Sequence, residues 1–148
     1  SAHWEILRSL LRESGTSKKD DQGNIIKVDG KPIKVPGKLK QVKGMGVALD
    51  KYNITQVSMN LTNYNVTAIH TAFEAVKTEA ERLGAEVDGS EIIGLVPLEA
   101  LLQAGKYYSG ENETNESKLV DTAINKLGLN SLNAFDKNKK IIDYLIQE

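Results

Sequence analysis

Apolar residues recur along this chain with two different periods, and the periods separate helices from strands. The clearest helical stripe recurs at three- and four-residue steps and predicts a helix over Thr67–Leu83. Its members are Ile69, Phe73, Val76, Ala80 and Leu83. Asn65 or Thr67 is expected as the N-cap, and Gly84 is placed to end the helix.

Two segments alternate with a period of two and are predicted as strands, Lys40–Leu49 and Ile54–Leu61, joined at Asp50–Asn53. In each strand one face carries large apolar side chains, and the other carries small or polar side chains. We expect the apolar faces of the two strands to lie side by side under the long helix. The helix residues Ile69, Phe73, Val76 and Ala80 would then pack on Val47, Val57 and Met59. The opposite face would then consist of Gly44, Gly46, Ala48, Gln56, Ser58 and Asn60.

The remaining segments are predicted to form four further helices, a hairpin and one more strand. Helices are predicted over His3–Ser14, Pro97–Tyr108, Leu119–Leu127 and Asn138–Ile146. Asn24–Val35 is typical of a hairpin because Asp29-Gly30 is a favoured tight turn. The nearly continuous apolar run Ile92–Val96 predicts a strand buried on both sides.

The order helix, strand, strand, helix, strand predicts an α+β fold, a ferredoxin-like split βαβ sandwich whose first strand is missing. We expect one domain over residues 1–148, with a lysine-rich hairpin insertion at 16–37 and extra C-terminal helices. An open strand position would expose unpaired backbone groups. Either a second copy of the chain or the Asn24–Val35 segment is therefore expected to cover it.

Composition narrows the class of protein. The 148 residues are 40% hydrophobic and 26% charged, which is globular composition. The chain has no cysteine, which excludes thiol chemistry and disulfides within it, and no apolar run long enough to span a bilayer. A net charge of −1 argues against nucleic-acid binding, which requires a large excess of Lys and Arg. With no secretory pattern at Ser1–Trp4, a cytoplasmic location fits best.

Positive charge is concentrated in one stretch. Between Thr16 and Lys43 eight lysines face three aspartates. This stretch is either a solvated surface or a region that raises the local concentration of an anionic ligand.

The segment Gln56–Pro97 contains QVSMNLTN, FEAVKTEAERLG and GSEIIGLVP, and with these it resembles glutamate formiminotransferase, in its C-terminal subdomain. Looser similarity extends through PGKLKQVKGMGVAL upstream and through LGLNSLNAF and IIDYL downstream. The resemblance implies transfer of the formimino group of N-formimino-L-glutamate to tetrahydrofolate, as co-substrate, in histidine degradation. It also places the acid–base histidine in an N-terminal subdomain that is not among these residues, so we expect no catalytic residue here and no activity of this chain alone.

Polar side chains collect after the second predicted strand, where a helix N-terminus approaches. Asn and Thr side chains both donate and accept, which suits a pterin edge or an amino-acid carboxylate, but they could equally shape a turn and cap the helix. Together with the carboxylate at the head of the apolar run and one lysine, the expected substrate-binding residues are Asn60, Thr62, Asn63, Asn65, Glu91 and Lys43. Glu91 could instead form a structural ion pair.

Neither histidine, His3 or His70, suits a metal site, since no carboxylate cluster accompanies them in the sequence. A structural role is the better expectation for His70. The expected partners are folate, N-formimino-glutamate, the N-terminal subdomain and a second copy in a homodimer. Two further readings stay open: a non-enzymatic ferredoxin-like subunit that binds folate or a protein, and a truncated chain that dimerises through its open sheet edge.

Overall fold

A computed structural model describes residues 11, 13–49 and 54–147 as a mixture of helices and small antiparallel sheets, an α+β architecture. The chain divides into two compact units, Ser1–Thr67 and Ala68–Glu148, which are described separately. Most of the predicted helix His3–Ser14 and the predicted turn Asp50–Asn53 lie outside the described residues. The expectation of a single domain stays a prediction.

The lysine-rich insertion forms a small β structure, residues 16–35, which we call the basic arm. Strand β1 (Thr16–Ser17) pairs with β4 (Lys34–Val35), and β2 (Lys27–Val28) pairs with β3 (Lys31–Pro32). The predicted turn between β2 and β3 is confirmed, since Asp29 and Gly30 both have positive φ, 50° and 75°. The arm is therefore folded through its own backbone pairs.

Three backbone hydrogen bonds close a ring at the centre of the basic arm. The amide of Lys18 donates to the carbonyl of Ile33 (2.8 Å), that of Ile33 to Ile26 (3.0 Å), and that of Ile26 to Lys18 (2.9 Å). Because the arm pairs within itself, and no ladder among the described residues joins it to the longer strands, it does not supply the missing strand. That alternative is wrong.

The two predicted long strands are confirmed as β5 (Val42–Leu49) and β6 (Ile54–Leu61), an antiparallel pair. Their register corrects the expected faces. Gly44 lies opposite Met59, and Gly46 opposite Val57. Residues directly opposite in an antiparallel pair share a face, so the glycines share theirs with the large apolar positions. The expected face of small and polar residues is therefore wrong, because a one-residue difference in register exchanges the faces.

The second unit is helical: α1 (Ile69–Arg82), α2 (Leu98–Ser109), α3 (Glu116–Lys126), and the short α4 (Lys137–Lys140) and α5 (Ile142–Leu145). Its core lies mainly between α2 and α3, where small residues allow close approach. A Cβ added to Gly105 would lie 2.3 Å from the carbonyl oxygen of Leu119. The buried core residues here include Ala100, Leu101, Ala104, Val120 and Ala123.

The long helix α1 ends as predicted, at Gly84 with φ 77°, but its start differs. Ala68 is the N-cap and no side chain caps it, so the prediction of Asn65 or Thr67 as N-cap is wrong. The Thr67 hydroxyl donates instead to the carbonyl of Lys40 at 2.6 Å. The predicted packing of α1 on the sheet would join the two units and stays a prediction.

The prediction of a buried strand over Ile92–Val96 is wrong. The segment is irregular, bends at Gly94 and forms only an isolated parallel bridge between Val96 and Ile141, and the side chains of Ile93 and Leu95 are 77% and 52% exposed. A run of apolar residues indicates that their side chains would be more stable when buried. It does not show that a neighbouring strand is present to pair with the run.

Candidate functional site

The polar site expected from the sequence lies in the first unit, at the end of the sheet where β5 begins and β6 ends. Lys43 and Asn60 are direct cross-strand partners and therefore share one face. Both residues are exposed, and neither side chain has a hydrogen-bond partner within the described part of the chain. A cation and an amide that point the same way can bind one carboxylate together.

The backbone turns at Gln41, just before β5, and we call this turn the corner. Hydrogen bonds at the corner fix this end of the sheet. Gln41 precedes β5 with φ 55°, a left-handed conformation that costs a non-glycine residue free energy. Its carbonyl accepts hydrogen bonds from both the amide and the hydroxyl of Thr62, each at 2.9 Å. The Gln41 side-chain oxygen also lies 2.9 Å from that hydroxyl. Thr62 therefore holds the corner, and its hydroxyl is engaged there.

Glu13 holds the same corner from the other side. Its carboxylate oxygen Oε2 accepts the Gln41 amide at 2.9 Å, and its own amide donates to the carbonyl of Val42 at 3.1 Å. Beside this contact lies an open depression of about 490 Å³, lined by Glu13, Ser14, Val42, Lys43 and Gly44. The residues of this lining include one acidic residue, Glu13, and one basic residue, Lys43.

The asparagines after β6 shape the turn. The side-chain oxygen of Asn63 accepts the amide of Asn65 at 3.0 Å, and its carbonyl accepts the amides of Val66 and Thr67, both at 3.1 Å. This is the turn-forming role that the sequence left open as the alternative. Of the predicted residues, Lys43 and Asn60 are thus the pair that the structure brings together with side chains directed at one face.

Glu91 belongs to the second unit and is exposed on the irregular segment before α2. Its part in substrate binding stays a prediction. Gln41 and Glu13, by contrast, support the site and were not predicted. A left-handed glutamine leaves no signature in a sequence, and Glu13 meets Gln41 only through a contact across 28 positions.

His70 packs against aromatic side chains of the helical unit, and the structural role expected for it stays a prediction. Its ring stacks on Tyr107 with centroids 4.4 Å apart and planes inclined by 17°, and Nδ1 is buried without a hydrogen-bond partner among the described residues. Burial lowers the pKa of His70, and nearby Glu74 opposes this in part. The Tyr108 hydroxyl donates to Glu74 at 2.7 Å, and burial together with this bond raises the pKa of Tyr108.

The two units carry opposite charge. The first contains 11 Lys and Arg against 6 Asp and Glu, a net charge of +5, while the second contains 8 against 14, a net charge of −6. The Lys43–Asn60 pair therefore lies in the unit whose overall field attracts anions. Within the described residues, no three His, Asp or Glu side chains converge on a common point that could hold a metal ion. No helix of the described part is long and apolar enough to cross a bilayer.

Comparison with known proteins relates nearly the whole chain to one family. The model of the formiminotransferase domain matches residues 5–147. Formimidoyltransferase-cyclodeaminase of Dictyostelium discoideum is 50% identical over 116 residues, which cover 76% of this chain and 22% of that protein. The protein of the same name from Mus musculus is 43% identical over 116 residues, which cover 76% of this chain and 21% of that protein. Glutamate formimidoyltransferase of Thermoplasma acidophilum is 42% identical over 90 residues, 61% of this chain and 30% of that protein. The chain thus spans about a fifth to a third of these relatives.

Proposed function

The chain belongs to the formiminotransferase domain family, and from this premise we propose that it is the folate-facing, C-terminal half of a glutamate formiminotransferase. The enzyme would move the formimino group of N-formimino-L-glutamate to tetrahydrofolate in histidine degradation. The names of the related proteins support formimino transfer in general. The assignment to one half rests on the resemblance of Gln56–Pro97 to the C-terminal subdomain.

The observation that carries a binding role is the exposed Lys43–Asn60 pair beside the depression at Glu13. Lys43 would meet a carboxylate of the glutamate part of the ligand, and Asn60 would donate to the same group or accept from a pterin edge. Thr62 would act through Gln41, by fixing the start of β5, and Asn63 and Asn65 by fixing the turn after β6. The corrected register is what places Lys43 and Asn60 together.

The wider arrangement also belongs to the proposal. We propose a ferredoxin-like sheet for the complete fold, an N-terminal subdomain that supplies the acid–base histidine, and a second copy of the chain as partner. A cytoplasmic location, expected from the cysteine-free sequence, is part of the same proposal. The order of β5, β6 and α1 supports the fold, since it matches the middle of the split βαβ pattern.

Titration with folinate, an analogue of the product, tests the binding site. In the chain combined with its N-terminal subdomain, Lys43→Gln should weaken folinate binding about two- to fivefold, as expected for a solvent-exposed ion pair. The difference should shrink as salt rises. Lys27→Gln, on the basic arm, removes the same charge from the same unit and serves as the control. Equal effects of the two substitutions would show that only the general field of the unit matters.

A second experiment tests the division of labour. We expect the chain alone to show no tetrahydrofolate-dependent release of glutamate, since general acid–base help is worth about 10²–10⁴-fold and its histidine lies elsewhere. Adding the N-terminal subdomain should restore part of the activity. Turnover by the purified chain alone would refute the placement of the chemistry in the other half.

A further inference from the structure

The dipeptide Asp-Gly occurs twice in the chain, at Asp29-Gly30 and at Asp88-Gly89. In this dipeptide the backbone nitrogen of the glycine can attack the side-chain carboxyl carbon of the aspartate, because glycine has no Cβ that hinders the approach. The two positions therefore have the same local chemistry. Only the surrounding structure differs between them.

Asp29-Gly30 is the turn between β2 and β3 at the end of the basic arm, and both residues are exposed. Among the described residues, no hydrogen bond reaches the Asp29 carboxylate or the Gly30 amide. A Cβ added to Gly30 would meet nothing within 4 Å. Asp29 also has a left-handed φ of 50°, which costs a non-glycine residue free energy. Both reacting groups are thus accessible, and no contact holds them apart.

Asp88-Gly89 has a different environment, although Asp88 is also exposed. The backbone of Gly89 lies against the loop after α3, and a Cβ added there would be 2.5 Å from the carbonyl oxygen of Gly128. The next amide, that of Ser90, donates to the same carbonyl at 3.2 Å, and the Ser90 hydroxyl donates to the carbonyl of Leu127 at 2.6 Å. The peptide group between Asp88 and Gly89 therefore cannot rotate without displacing this loop.

We propose that Asp29 is a site of spontaneous isoaspartate formation and that the fold protects Asp88 from the same reaction. The Gly30 nitrogen bonds to the side-chain carboxyl carbon of Asp29, and the hydroxyl of the carboxylic acid leaves with the amide hydrogen as water. Water then opens the resulting five-membered succinimide. Cleavage between the nitrogen and the main-chain carbonyl carbon gives isoaspartate, whereas cleavage of the new bond regenerates aspartate. The reaction needs no reactant besides water.

Isoaspartate would change the end of the basic arm, because the main chain then runs through the side-chain carbon and is one atom longer. The turn between β2 and β3 has only two central residues, and each strand contributes only two residues to the pairing. We therefore expect the β2–β3 pairing to be lost in the modified chain. The proposal goes beyond the proposed function, since it involves neither Lys43 nor Asn60, and either can fail without the other.

Ageing of the folded chain in neutral buffer at body temperature tests the proposal. Digestion with an endoproteinase that cleaves before aspartate, but not before isoaspartate, reports each position separately. Isoaspartate should accumulate at Asp29 at least about tenfold faster than at Asp88, a difference of about 1.4 kcal/mol in the activation barrier. In urea the two rates should become similar, because the fold no longer protects Asp88. Equal rates in the folded chain, or no isoaspartate at Asp29, would overturn the proposal.

Two matched substitutions identify the reacting residue. Asp29→Glu keeps the carboxylate but requires a six-membered ring, which forms much more slowly, so it should remove most of the isoaspartate of the aged chain. Asp88→Glu is the control and should leave the amount unchanged. Transfer of a labelled methyl group from S-adenosylmethionine by an isoaspartyl methyltransferase measures the total. An unchanged total in Asp29→Glu would refute the assignment, and circular dichroism shows that each variant is folded.

Discussion

The two units of this chain are stabilised in different ways. The helical unit, residues 68–147 as described, buries small and branched residues between α2 and α3, with Leu101, Ala104 and Ala123 completely enclosed. In the first unit the buried residues are few among those described, and the basic arm depends on backbone hydrogen bonds while Val28 and Val35 stay exposed. Burial between helices thus characterises the helical unit, and backbone pairing characterises the basic arm. Substitutions should therefore affect the two units through different physical causes.

The largest effect expected is that of Leu101→Ala, which opens a cavity at a fully buried position of α2. Such a change costs about 2–5 kcal/mol of unfolding free energy. Val28→Ala removes apolar atoms from the exposed arm and should change stability by less than about 0.5 kcal/mol. Urea unfolding followed by circular dichroism compares the two. Similar losses would mean that the arm also depends on packing.

Gly105→Ala tests the close approach of α2 and α3. Helix propensity alone would favour alanine by up to about 1 kcal/mol. The new Cβ would meet the backbone carbonyl of Leu119, which cannot move without shifting α3, so overpacking should outweigh propensity and leave a net loss of about 1–3 kcal/mol. A more stable Gly105→Ala variant in the same urea experiment would contradict the tight packing of this unit.

Tyr108→Phe removes a hydrogen bond to a carboxylate within the helical unit. A bond of this kind contributes about 1.5 kcal/mol when partly shielded from water. Tyr144→Phe is the control, since its bond to Glu116 is exposed, although partial burial and that bond raise the pKa of Tyr144 to about 12. Its loss should be about 0.5 kcal/mol or less. Equal losses, measured by thermal unfolding, would show that shielding adds nothing at Tyr108.

The smallest effect expected is a pH dependence from His70. Burial lowers its pKa below the unfolded value of 6.5, so its contribution to stability is complete above that value and is lost as pH falls through the folded pKa. A nuclear magnetic resonance titration should show His70 protonating below pH 6.5. His70→Gln should flatten the stability profile on the acid side. A raised pKa would mean that Glu74, rather than burial, dominates.

The parts of the fold that could be predicted are those encoded within one segment. The helix α1 and the turn at Asp29-Gly30 needed only local information, and both are present. The sheet faces could not be read from either strand, because they depend on which residue lies opposite which. For the same reason the proximity of Lys43 and Asn60 follows from the register, although both residues were selected from the sequence alone.

The errors at the other positions also have physical causes. The apolar run Ile92–Val96 gave no information about a pairing partner, and among the described residues no strand lies beside it. The left-handed Gln41 is stabilised by Glu13 and Thr62 from distant parts of the chain, so no local pattern indicates it. Long-range hydrogen bonds therefore determine the features that sequence reasoning missed.

The closure of the basic arm has a practical consequence. Thr16 and Val35 are cross-strand partners, so the polypeptide enters and leaves the arm at neighbouring points about 5 Å apart. Everything between them can in principle be shortened, lengthened or exchanged for another hairpin while the entry and exit stay in place. The arm is thus a natural position for a fluorescent or affinity label, and a segment whose length evolution can change without rebuilding the neighbouring strands.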